Sequence, residues 1–372
     1  MNRVAYLLLY VALAPSLGHA EAHTSLADIA LPEGFSIEVL TDEVPDARSL
    51  ALGDRQTLFV GTLEDGRVYA VVPQENARPS IITIAEKLKM PNGIAFHDGD
   101  LYVAETTRII RFRDIEDRLE NRPEYEVIFD SLPPKSHHGW RYIAFGPGGK
   151  LYVTIGAPCN ACDKKGYGEI ARINADGSEF ETVAFGIRNS VGLDWDPDNG
   201  ELWFTDNGRD MMGDDIPADE LNHAPDSGMH FGFPFCHGGD ILDPDFGQDR
   251  DCVDFIPPAQ KLDAHVAPLG MVFYDGDMFP EEYRKQIFIA EHGSWNRSKK
   301  IGYRISIVRM NNGQPRTYGV FADGWLKNEE VSGRPVDLLV MPDGSMVVSD
   351  DRAGSLYRIT YSAPLGDDLM AR

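Results

Sequence analysis

The chain has 372 residues, with 35 basic and 59 acidic side chains and a formal net charge of −24. So acidic a surface argues against nucleic acid and anionic lipid as partners, because both bind through basic patches. The length would suit two or three ordinary domains, but a closed array of repeats can form one domain of this size, so internal repeats decide the question.

The first twenty residues have the pattern of a secretory signal peptide. Arg3 precedes an apolar stretch from Val4 to Leu13, and the segment ends in the small residue Ala20. The stretch is too short and too interrupted for a stable transmembrane helix; a retained N-terminal anchor is the alternative. We expect a mature chain that begins near residue 21, has no membrane span, and is periplasmic or secreted.

Four cysteines predict two disulfides in an exported chain. They are Cys159, Cys162, Cys236 and Cys252, and sequence alone allows three pairings. We expect Cys159–Cys162 and Cys236–Cys252, because the members of each pair share a loop. Asp163 follows Cys162 where a c-type haem attachment site has histidine, so haem attachment is not expected.

One short sequence phrase recurs six times along the chain. It consists of an alternating apolar run, a turn rich in Pro, Gly and Asp, and a second alternating run that ends in a small or acidic residue. The clearest copy is AFGPGGKLYVTIG at 144–156, and the six copies begin at residues 50, 94, 144, 193, 271 and 338. Most copies are followed by a third apolar run, and several by a fourth.

Six units of four strands predict an all-β fold, a six-bladed β-propeller with four-stranded antiparallel blades, over residues 21–372. The last unit has no obvious fourth run, and the early run at 35–40 can supply it and close the ring. A β-sandwich or a solenoid is the alternative, which the regular four-strand unit disfavours. Residues 207–265 are rich in Gly, Asp and Pro and are predicted to form a long loop insertion.

In a propeller, the loops before the first strand and after the second strand of every blade meet at one end of the central channel. Polar residues concentrate at both positions of this chain. They are Arg48, Asn92, His137, His138, Arg188, Asn189 and Arg334 before first strands, and Glu105, Asp206, Asn207, Gly208, Glu291, His292, Asp350 and Asp351 after second strands. This predicts a ligand site at the channel mouth; a ring that is hydrogen-bonded only to itself is the alternative.

The same segments, in this order, resemble the soluble glucose/sorbosone dehydrogenase family, and most closely its sorbosone dehydrogenase-like branch. The resemblance spans nearly the whole mature chain. It depends on residues 31–40 (LPEGFSIEVL), 139–153 (GWRYIAFGPGGKLYV), 186–189 (GIRN), 206–210 (DNGRD), 219–222 (DELN) and 333–337 (GRPVD). It implies a quinoprotein that uses pyrroloquinoline quinone (PQQ) and Ca²⁺ to oxidise an aldose or a related sugar or aldehyde. An external electron acceptor, such as a quinone, a cytochrome or a dye, is also implied.

The resemblance assigns two catalytic residues. His137 lies four residues before Arg141 and is the predicted general base, since a neutral imidazole can accept the proton of a sugar hydroxyl while hydride leaves the same carbon. The neighbouring His138 is the weaker candidate. Arg188 is the predicted electrophile, since a guanidinium beside the quinone oxygen stabilises developing negative charge; an ion pair with a ring carboxylate is the alternative.

The resemblance also implies which residues bind PQQ. They are Arg188, Asn189, Lys300 and Arg334, whose side chains suit a ligand with three carboxylates. The chain departs from the family at Val336, where many relatives have a second arginine. The corresponding contact is either lost or supplied by Arg297 or Arg209.

By the same resemblance, the backbone carbonyls of Gly208 and Arg209 hold Ca²⁺, which prefers oxygen ligands. Asp214 and Asp215 are candidates for a second, structural calcium site, and His265 is a weak candidate for a sugar contact. Phe231, Phe233 and Trp295 can stack on a flat ligand, but aromatic residues of propellers more often belong to the blade core.

Two other functions stay open at this stage. A Ca²⁺-dependent lactonase-like hydrolase, also a six-bladed propeller, would hold its metal with side chains such as Glu105, Asp206 and Asp350, but it leaves His137 and Arg188 unexplained. A non-catalytic exported binding propeller is the other alternative. An NAD-dependent enzyme is disfavoured, because the chain has no strand, Gly-rich turn and helix in sequence.

Overall fold

The computed structural model describes residues 25–121 and 123–364, so the predicted signal peptide lies outside the described residues. The regular secondary structure is almost entirely β-strand. In chain order the strands are β1 (Phe35–Thr41), β2 (Leu50–Leu52), β3 (Leu58–Val60), β4 (Val68–Gln74), β5 (Ala77–Ala85), β6 (Gly93–His97), β7 (Asp100–Ala104), β8 (Ile109–Phe112), β9 (Glu126–Phe129), β10 (Ile143–Phe145), β11 (Leu151–Ile155), β12 (Glu169–Ile173), β13 (Glu181–Phe185), β14 (Leu193–Trp195), β15 (Leu202–Asp206), β16 (Glu220–Ala224), β17 (Met229–His230), β18 (Cys236–His237), β19 (Ile241–Leu242), β20 (Gln260–Lys261), β21 (Pro268–Phe273), β22 (Ile287–Glu291), β23 (Arg304–Asn311), β24 (Gln314–Ala322), β25 (Leu326–Lys327), β26 (Glu330–Val331), β27 (Pro335–Val340), β28 (Met346–Asp350) and β29 (Ser355–Tyr361). Short 3-10 helices span Leu26–Asp28, Ile115–Asp117, Leu119–Asn121, Cys252–Asp254 and Glu281–Tyr283.

The strands form six blades, which confirms the predicted six-bladed propeller. Blades 1 to 5 consist of β2–β5, β6–β9, β10–β13, β14–β16 with β20, and β21–β24. Blade 6 consists of β27, β28 and β29, and β1 is its outermost strand. Phe35 pairs with Tyr361 and Val39 with Tyr357 in antiparallel register. The predicted closure of the ring by the early strand is therefore confirmed.

The segment 207–265 differs from the sequence-based expectation of a loop insertion. It supplies β16 and β20, the third and fourth strands of blade 4, and β17, which pairs in parallel with the outer strand of blade 3. Strand β16 has the sequence ELNHA and β20 has two residues. Neither shows the apolar alternation that marks the other blades, so the sequence pattern did not reveal them.

The hydrophobic core is divided among the interfaces between neighbouring blades. Strand β22 shows why: Ile287 and Ile289 pack towards blade 4, whereas Phe288 and Ala290 pack towards blade 6. Successive side chains of a strand point to opposite faces, and both faces of a blade are covered. The second strands are therefore continuous apolar runs rather than alternating ones. Burying a side chain such as Phe288 contributes about 2 to 3 kcal/mol.

Both disulfides form as predicted. Cys159 and Cys162 are linked with a Cα–Cα distance of 6.1 Å, and Cys236 and Cys252 with one of 5.5 Å. Within the described ranges, no helix has the length and apolar character needed to cross a membrane.

Candidate active site

The loops at one end of the channel enclose a cavity of about 570 Å³, a size typical of small-molecule sites, which range from about 300 to 1000 Å³. Most of the polar positions predicted to meet at the channel mouth line it. Its charged and polar lining includes Asp46, Arg48, Glu64, Asp65, His138, Arg188, Asn189, Asn207, Asp210, Asp219, His265, His292, Asn296, Arg334 and Asp351. The lining thus combines three arginines and three histidines with six carboxylates.

Arg188 lies at the cavity wall in a fixed orientation. Its backbone N–H donates to Asp206 Oδ2 at 2.8 Å, and that of Asn189 donates to Asp206 Oδ1 at 2.6 Å. Its guanidinium forms an ion pair with Asp210 at 2.6 Å and also donates to Asn160 and Asn207. Arg188 is thus ion-paired, with Asp210 rather than with one of the ring carboxylates that the sequence named, and it still lines the cavity.

A second cationic group surrounds the carboxylate of Asp351. Arg48 Nη1 donates to Asp351 Oδ2 at 2.8 Å, Arg334 Nε donates to Asp351 Oδ1 at 2.9 Å, and His292 Nε2 lies 2.9 Å from Oδ2. Burial alone would raise the pKa of Asp351, but His292 and the two guanidinium groups hold it well below its ordinary value. Two guanidinium groups share one carboxylate, so the group carries surplus positive charge towards the cavity.

The structure places His138, rather than His137, among the residues that line the cavity. His137 is exposed, and the centroids of the two imidazole rings are 4.1 Å apart. His138 is buried, and its Nδ1 lies 2.8 Å from the carbonyl oxygen of Ala157. A carbonyl only accepts, so Nδ1 carries the proton and Nε2 has a free lone pair. Burial and the charge of Arg188 hold the pKa of His138 well below its ordinary value.

The backbone around His138 is unusual and close-packed. His138 has a left-handed φ of 48°, a conformation that non-glycine residues seldom adopt. A Cβ at Gly156 would lie 2.6 Å from His138 Cβ and 2.9 Å from its carbonyl oxygen. Glycine at 156 therefore permits the approach of β11 that sets the position of the imidazole.

Two polar side chains at the cavity have buried atoms without hydrogen-bond partners among the described residues. They are Trp140 Nε1 and both amide atoms of Asn296. Buried polar atoms are usually hydrogen-bonded in native proteins. One donor at Trp140, and a donor and an acceptor at Asn296, are therefore suited to a polar ligand.

Not all of the predicted PQQ and Ca²⁺ ligands converge on the cavity. Gly208 lines it, and so do Arg188, Asn189 and Arg334. Lys300 instead lies beside an adjoining depression of about 420 Å³, where its ammonium donates to the carbonyl oxygen of Glu329. The side chain of Arg209 forms ion pairs outside the cavity, with Asp243 and with Asp245.

The departure at Val336 has a structural explanation. Val336 is buried in a small apolar cluster with Val191 and Leu269, next to Trp140. Neither of the two suggested replacements, Arg297 or Arg209, lines the cavity.

Arg297 donates to the backbone carbonyl of Asp214 and forms an ion pair with Asp215. Both candidates for a second calcium site therefore contact an arginine. Arg48 does line the cavity, from a position that the sequence placed at the channel mouth without giving it a role.

The structure also gives the positions of three residues that the sequence named as candidate ligand contacts. His265, the weak candidate for a sugar contact, has its Nε2 within 2.8 Å of the carbonyl oxygen of Gly213 and 3.1 Å of that of Ile216. It therefore holds that loop. Trp295 lines the cavity and is 70% exposed, whereas Phe231 belongs to the blade core.

The carboxylates that a lactonase-like site would require bind backbone amides. Glu105 accepts from Lys89 N at 2.7 Å, and Asp350 Oδ1 accepts from three backbone N–H groups, including that of Arg334 at 2.9 Å. Asp206 holds Arg188 and Asn189 in the same way. In the part of the chain that the structure describes, no group of three or more His, Cys, Asp or Glu side chains is arranged to hold a metal ion. These acidic residues shape the loops and do not form a carboxylate calcium cage.

Comparison with known proteins identifies the family. Residues 94–358 match the family described as Glucose / Sorbosone dehydrogenase. The chain belongs to the glucose/sorbosone dehydrogenase family. An uncharacterized protein of Borreliella burgdorferi is 36% identical over 349 residues, which cover 90% of this chain and 91% of that protein. The resemblance inferred from the sequence is thereby confirmed.

Solved structures show that this member of the glucose/sorbosone dehydrogenase family has the fold of known propellers. A calcium structure of the Trichoderma reesei carbohydrate-active enzyme family AA12 superposes with a TM-score of 0.79 and 19% identity, covering 94% of this chain and 99% of that one. The holo form of the PQQ domain of pyranose dehydrogenase from Coprinopsis cinerea gives 0.77 and 18%, covering 92% and 99%. At these identities the likeness establishes the fold.

Proposed function

We propose that the protein is a PQQ-dependent dehydrogenase that oxidises an aldose or a related sugar or aldehyde. The observation that carries the proposal is that a neutral buried imidazole at His138 and the fixed guanidinium of Arg188 line the same cavity. Membership of the glucose/sorbosone dehydrogenase family supports the reaction class. The PQQ domain of pyranose dehydrogenase, which has the same fold, supports the cofactor and the sugar substrate.

The cavity fits the chemistry of PQQ. The three carboxylates of PQQ need cations and hydrogen-bond donors. The cavity is lined by Arg48, Arg188, Asn189 and Arg334. The unpartnered Nε1 of Trp140 and amide of Asn296 supply further polar contacts. When bound, PQQ supplies a quinone that accepts hydride. Lys300, in the adjoining depression, stays a prediction from the sequence.

A calcium ion in this site would be bound by backbone carbonyls. The sequence assigns this role to Gly208 and Arg209, and the calcium structure of the Trichoderma reesei enzyme supports the ion in a propeller of this fold. The N–H of Gly208 donates to Asp219 Oδ1 at 2.6 Å, and a Cβ at Gly208 would lie 3.0 Å from the carbonyl oxygen of Ala218. The loop is thus held closely where it meets the cavity.

The chemistry that the chain itself provides is proton transfer and charge stabilisation. Nε2 of His138 accepts the proton of the substrate hydroxyl, because Nδ1 already donates to Ala157 and the low pKa keeps the ring neutral near pH 7. Arg188 stabilises negative charge that develops on the acceptor oxygen. Leu63, Trp140 and Leu269 contribute apolar wall, which limits water beside the reacting carbon.

Reconstitution tests the proposal. Purified protein with PQQ and Ca²⁺ should reduce an artificial dye when given aldoses, and His138→Ala should lower kcat by about 100- to 10 000-fold while PQQ still binds. His137→Ala is the matched control and should stay within a few-fold of the wild type. If His137→Ala loses turnover and His138→Ala keeps it, the general base is His137 rather than His138. No dye reduction over a broad panel of sugars and aldehydes, with no quinone absorbance retained, would contradict the whole proposal.

Two features support an exported enzyme with an external acceptor. The disulfides suit an oxidising compartment, and the N-terminal residues have the signal-peptide pattern described above. Fractionation of cells that express the full chain, followed by determination of the N-terminus of the mature protein, tests the location. Recovery with the cytoplasmic fraction and an intact N-terminus would contradict it.

A further inference from the structure

The segment between β11 and the first disulfide contacts both proposed catalytic residues. Ala157 N donates to the carbonyl oxygen of Arg188 at 2.7 Å, and the carbonyl oxygen of Ala157 accepts from His138 Nδ1 at 2.8 Å. Two residues later the chain enters the ring closed by Cys159 and Cys162, which are three residues apart. This short ring restricts the backbone of the two residues that it encloses.

Asn160, inside this ring, forms four hydrogen bonds with two residues of the site. Its backbone oxygen accepts from Arg188 Nε and its Oδ1 from Arg188 Nη2, both at 2.9 Å. Oδ1 also accepts from Asp210 N at 2.9 Å, and Nδ2 donates to Asp210 O at 3.0 Å. Asn160 therefore holds Arg188 and its ion-pair partner together.

These contacts determine which part of the guanidinium is available. Besides the two bonds to Asn160, Nη2 donates to Asp210 Oδ2 at 2.6 Å and Nη1 to Asn207 O at 3.2 Å. An arginine side chain has five N–H donors, so among the described residues four are used. The remaining one, on Nη1, is left for the cavity. A guanidinium held on three sides can present one donor at a fixed point.

We propose that Asn160, held in the Cys159–Cys162 ring, is a positioning residue that orients the guanidinium of Arg188 for the reaction. The inference depends on the proposed dehydrogenase function. The disulfide limits the conformations of Asn160, so its carbonyl oxygen and its amide oxygen face Arg188 together. Without the amide, the guanidinium loses its bond to Oδ1 and is held only by Asp210, Asn207 and the backbone oxygen of residue 160. Without the ring, Asn160 itself is less restrained, so in both cases the guanidinium is less firmly oriented.

The first test measures apoprotein, so it needs no cofactor. The His138 imidazole is titrated by NMR in the wild type, in Asn160→Ala and in Cys159→Ser/Cys162→Ser. The charge of Arg188 is one of the causes that lower the pKa of His138, so a guanidinium released from Asn160 should let that pKa rise. The Nε–H of Arg188, which bonds the backbone oxygen of residue 160, should also exchange faster with water in the double serine variant, where the ring no longer restrains that oxygen.

The second test measures turnover with PQQ and Ca²⁺. Asn160→Ala should lower kcat by up to about 100-fold with little change in KM, since misplacement of a catalytic group weakens transition-state contacts. Asn160→Asp retains both acceptor oxygens and should keep more activity than Asn160→Ala. The kcat of the double serine variant should also be lower than that of the wild type. Asn199→Ala, an exposed asparagine whose amide bonds Glu201 in the β14–β15 turn, is the matched control and should equal the wild type.

The outcomes separate the inference from the proposed function. If wild-type protein binds PQQ but oxidises no sugar, the proposed function fails, while the apoprotein titration still decides whether Asn160 orients Arg188. If the His138 pKa, the Nε–H exchange and kcat are all unchanged in Asn160→Ala and in the double serine variant, the positioning role is wrong. If Asn160→Ala does not fold, the double serine variant, which keeps Asn160, decides it.

Discussion

Arg188 and Arg334 precede the first strands of blades 4 and 6. Their backbone N–H groups have the same kind of partner, but their guanidinium groups have different environments. In each blade a carboxylate that ends the second strand accepts the arginine's N–H, Asp206 at 2.8 Å and Asp350 at 2.9 Å. The side chain of Arg188 is 4% exposed, whereas that of Arg334 is 38% exposed. Equivalent positions of the repeat therefore place a buried guanidinium, that of Arg188, and a partly exposed one, that of Arg334, at the cavity.

The difference indicates two separate tasks. Arg188 has its own carboxylate, Asp210, and most of its donors bind protein groups. Arg334 bonds Asp351 through Nε and shares that carboxylate with Arg48 and His292. A fixed donor suits a single reacting atom, whereas an accessible cation suits a carboxylate of a bound ligand. We therefore expect mutations on the two sides to affect different kinetic parameters.

Among the residues of this comparison, the largest effect is expected at Arg188. Arg188→Ala should lower kcat by about 100- to 1000-fold, as loss of one donor to a developing oxyanion does. Steady-state kinetics of the reconstituted enzyme measure it, with PQQ binding followed by absorbance as the control. A loss of PQQ affinity with unchanged kcat in the saturated enzyme would assign Arg188 to binding and remove the distinction.

The next effect is expected at Asp351, on the opposite side. Asp351→Asn leaves the buried guanidinium of Arg48 and the partly exposed one of Arg334 without their counter-charge. It should lower the free energy of unfolding by about 3 kcal/mol at pH 7. The wild-type pKa is depressed, so the stabilisation is present above the unfolded-state pKa of about 3.9 and is lost as the pH falls below it.

The variant should therefore show a flatter pH dependence of unfolding in acid than the wild type. Denaturant titrations of both proteins at several pH values between neutral and acid measure this. Equal slopes for the two proteins would mean that Asp351 is not the group whose protonation destabilises the fold.

A smaller effect is expected at Arg334. Arg334→Ala should weaken PQQ binding by about 10- to 100-fold, the value of one hydrogen bond to a charged group. It should leave kcat of the saturated enzyme within a few-fold of wild type. Fluorescence or absorbance titration with PQQ measures the affinity. A fall in kcat as large as that of Arg188→Ala would show that both arginines act on the reacting atoms.

The smallest effect concerns pH. The pKa of His138 lies well below 6.5, and the base acts in its neutral form, so kcat/KM should stay constant as the pH falls through 6.5 and decline only below it. Arg188→Ala removes one of the causes of the low pKa, so its residual activity should begin to decline at higher pH. A wild-type acid limb at or above pH 6.5 would contradict the assignment of His138.

The fold could be predicted in detail because its pattern is local. Each second strand is apolar on both faces, as in the run that contains Ile287 and Phe288, and the acidic residue that ends it has a structural task, as Asp206 and Asp350 show. The third and fourth strands of blade 4 escaped prediction because β16 has mixed polarity and β20 is too short. Their pairing is set by neighbouring strands rather than by their own sequence.

The site was predictable as a set of positions and less so as individual contacts. Arg188 and Arg334 follow from the repeat, since both lie in loops that lead into first strands. Lys300 lies on a loop whose path the repeat does not determine. The choice between His137 and His138 depends on one left-handed residue and on the close approach of Gly156, neither of which has a sequence pattern. Asn160 gave no signal beyond its place between two cysteines.

Closure of blade 6 has a consequence for folding kinetics. Ser36 in β1 and Thr360 in β29 are hydrogen-bonded at 2.9 Å although 324 positions separate them in sequence. Contacts of such sequence separation form late and slow the folding of a domain. During synthesis, β1 is the first strand to emerge and has no partner until β29 has emerged, so its edges stay unpaired while the rest of the ring is made. Until the ring closes, the growing chain must therefore avoid aggregation at the unpaired edges of β1. Closure of the ring removes this requirement.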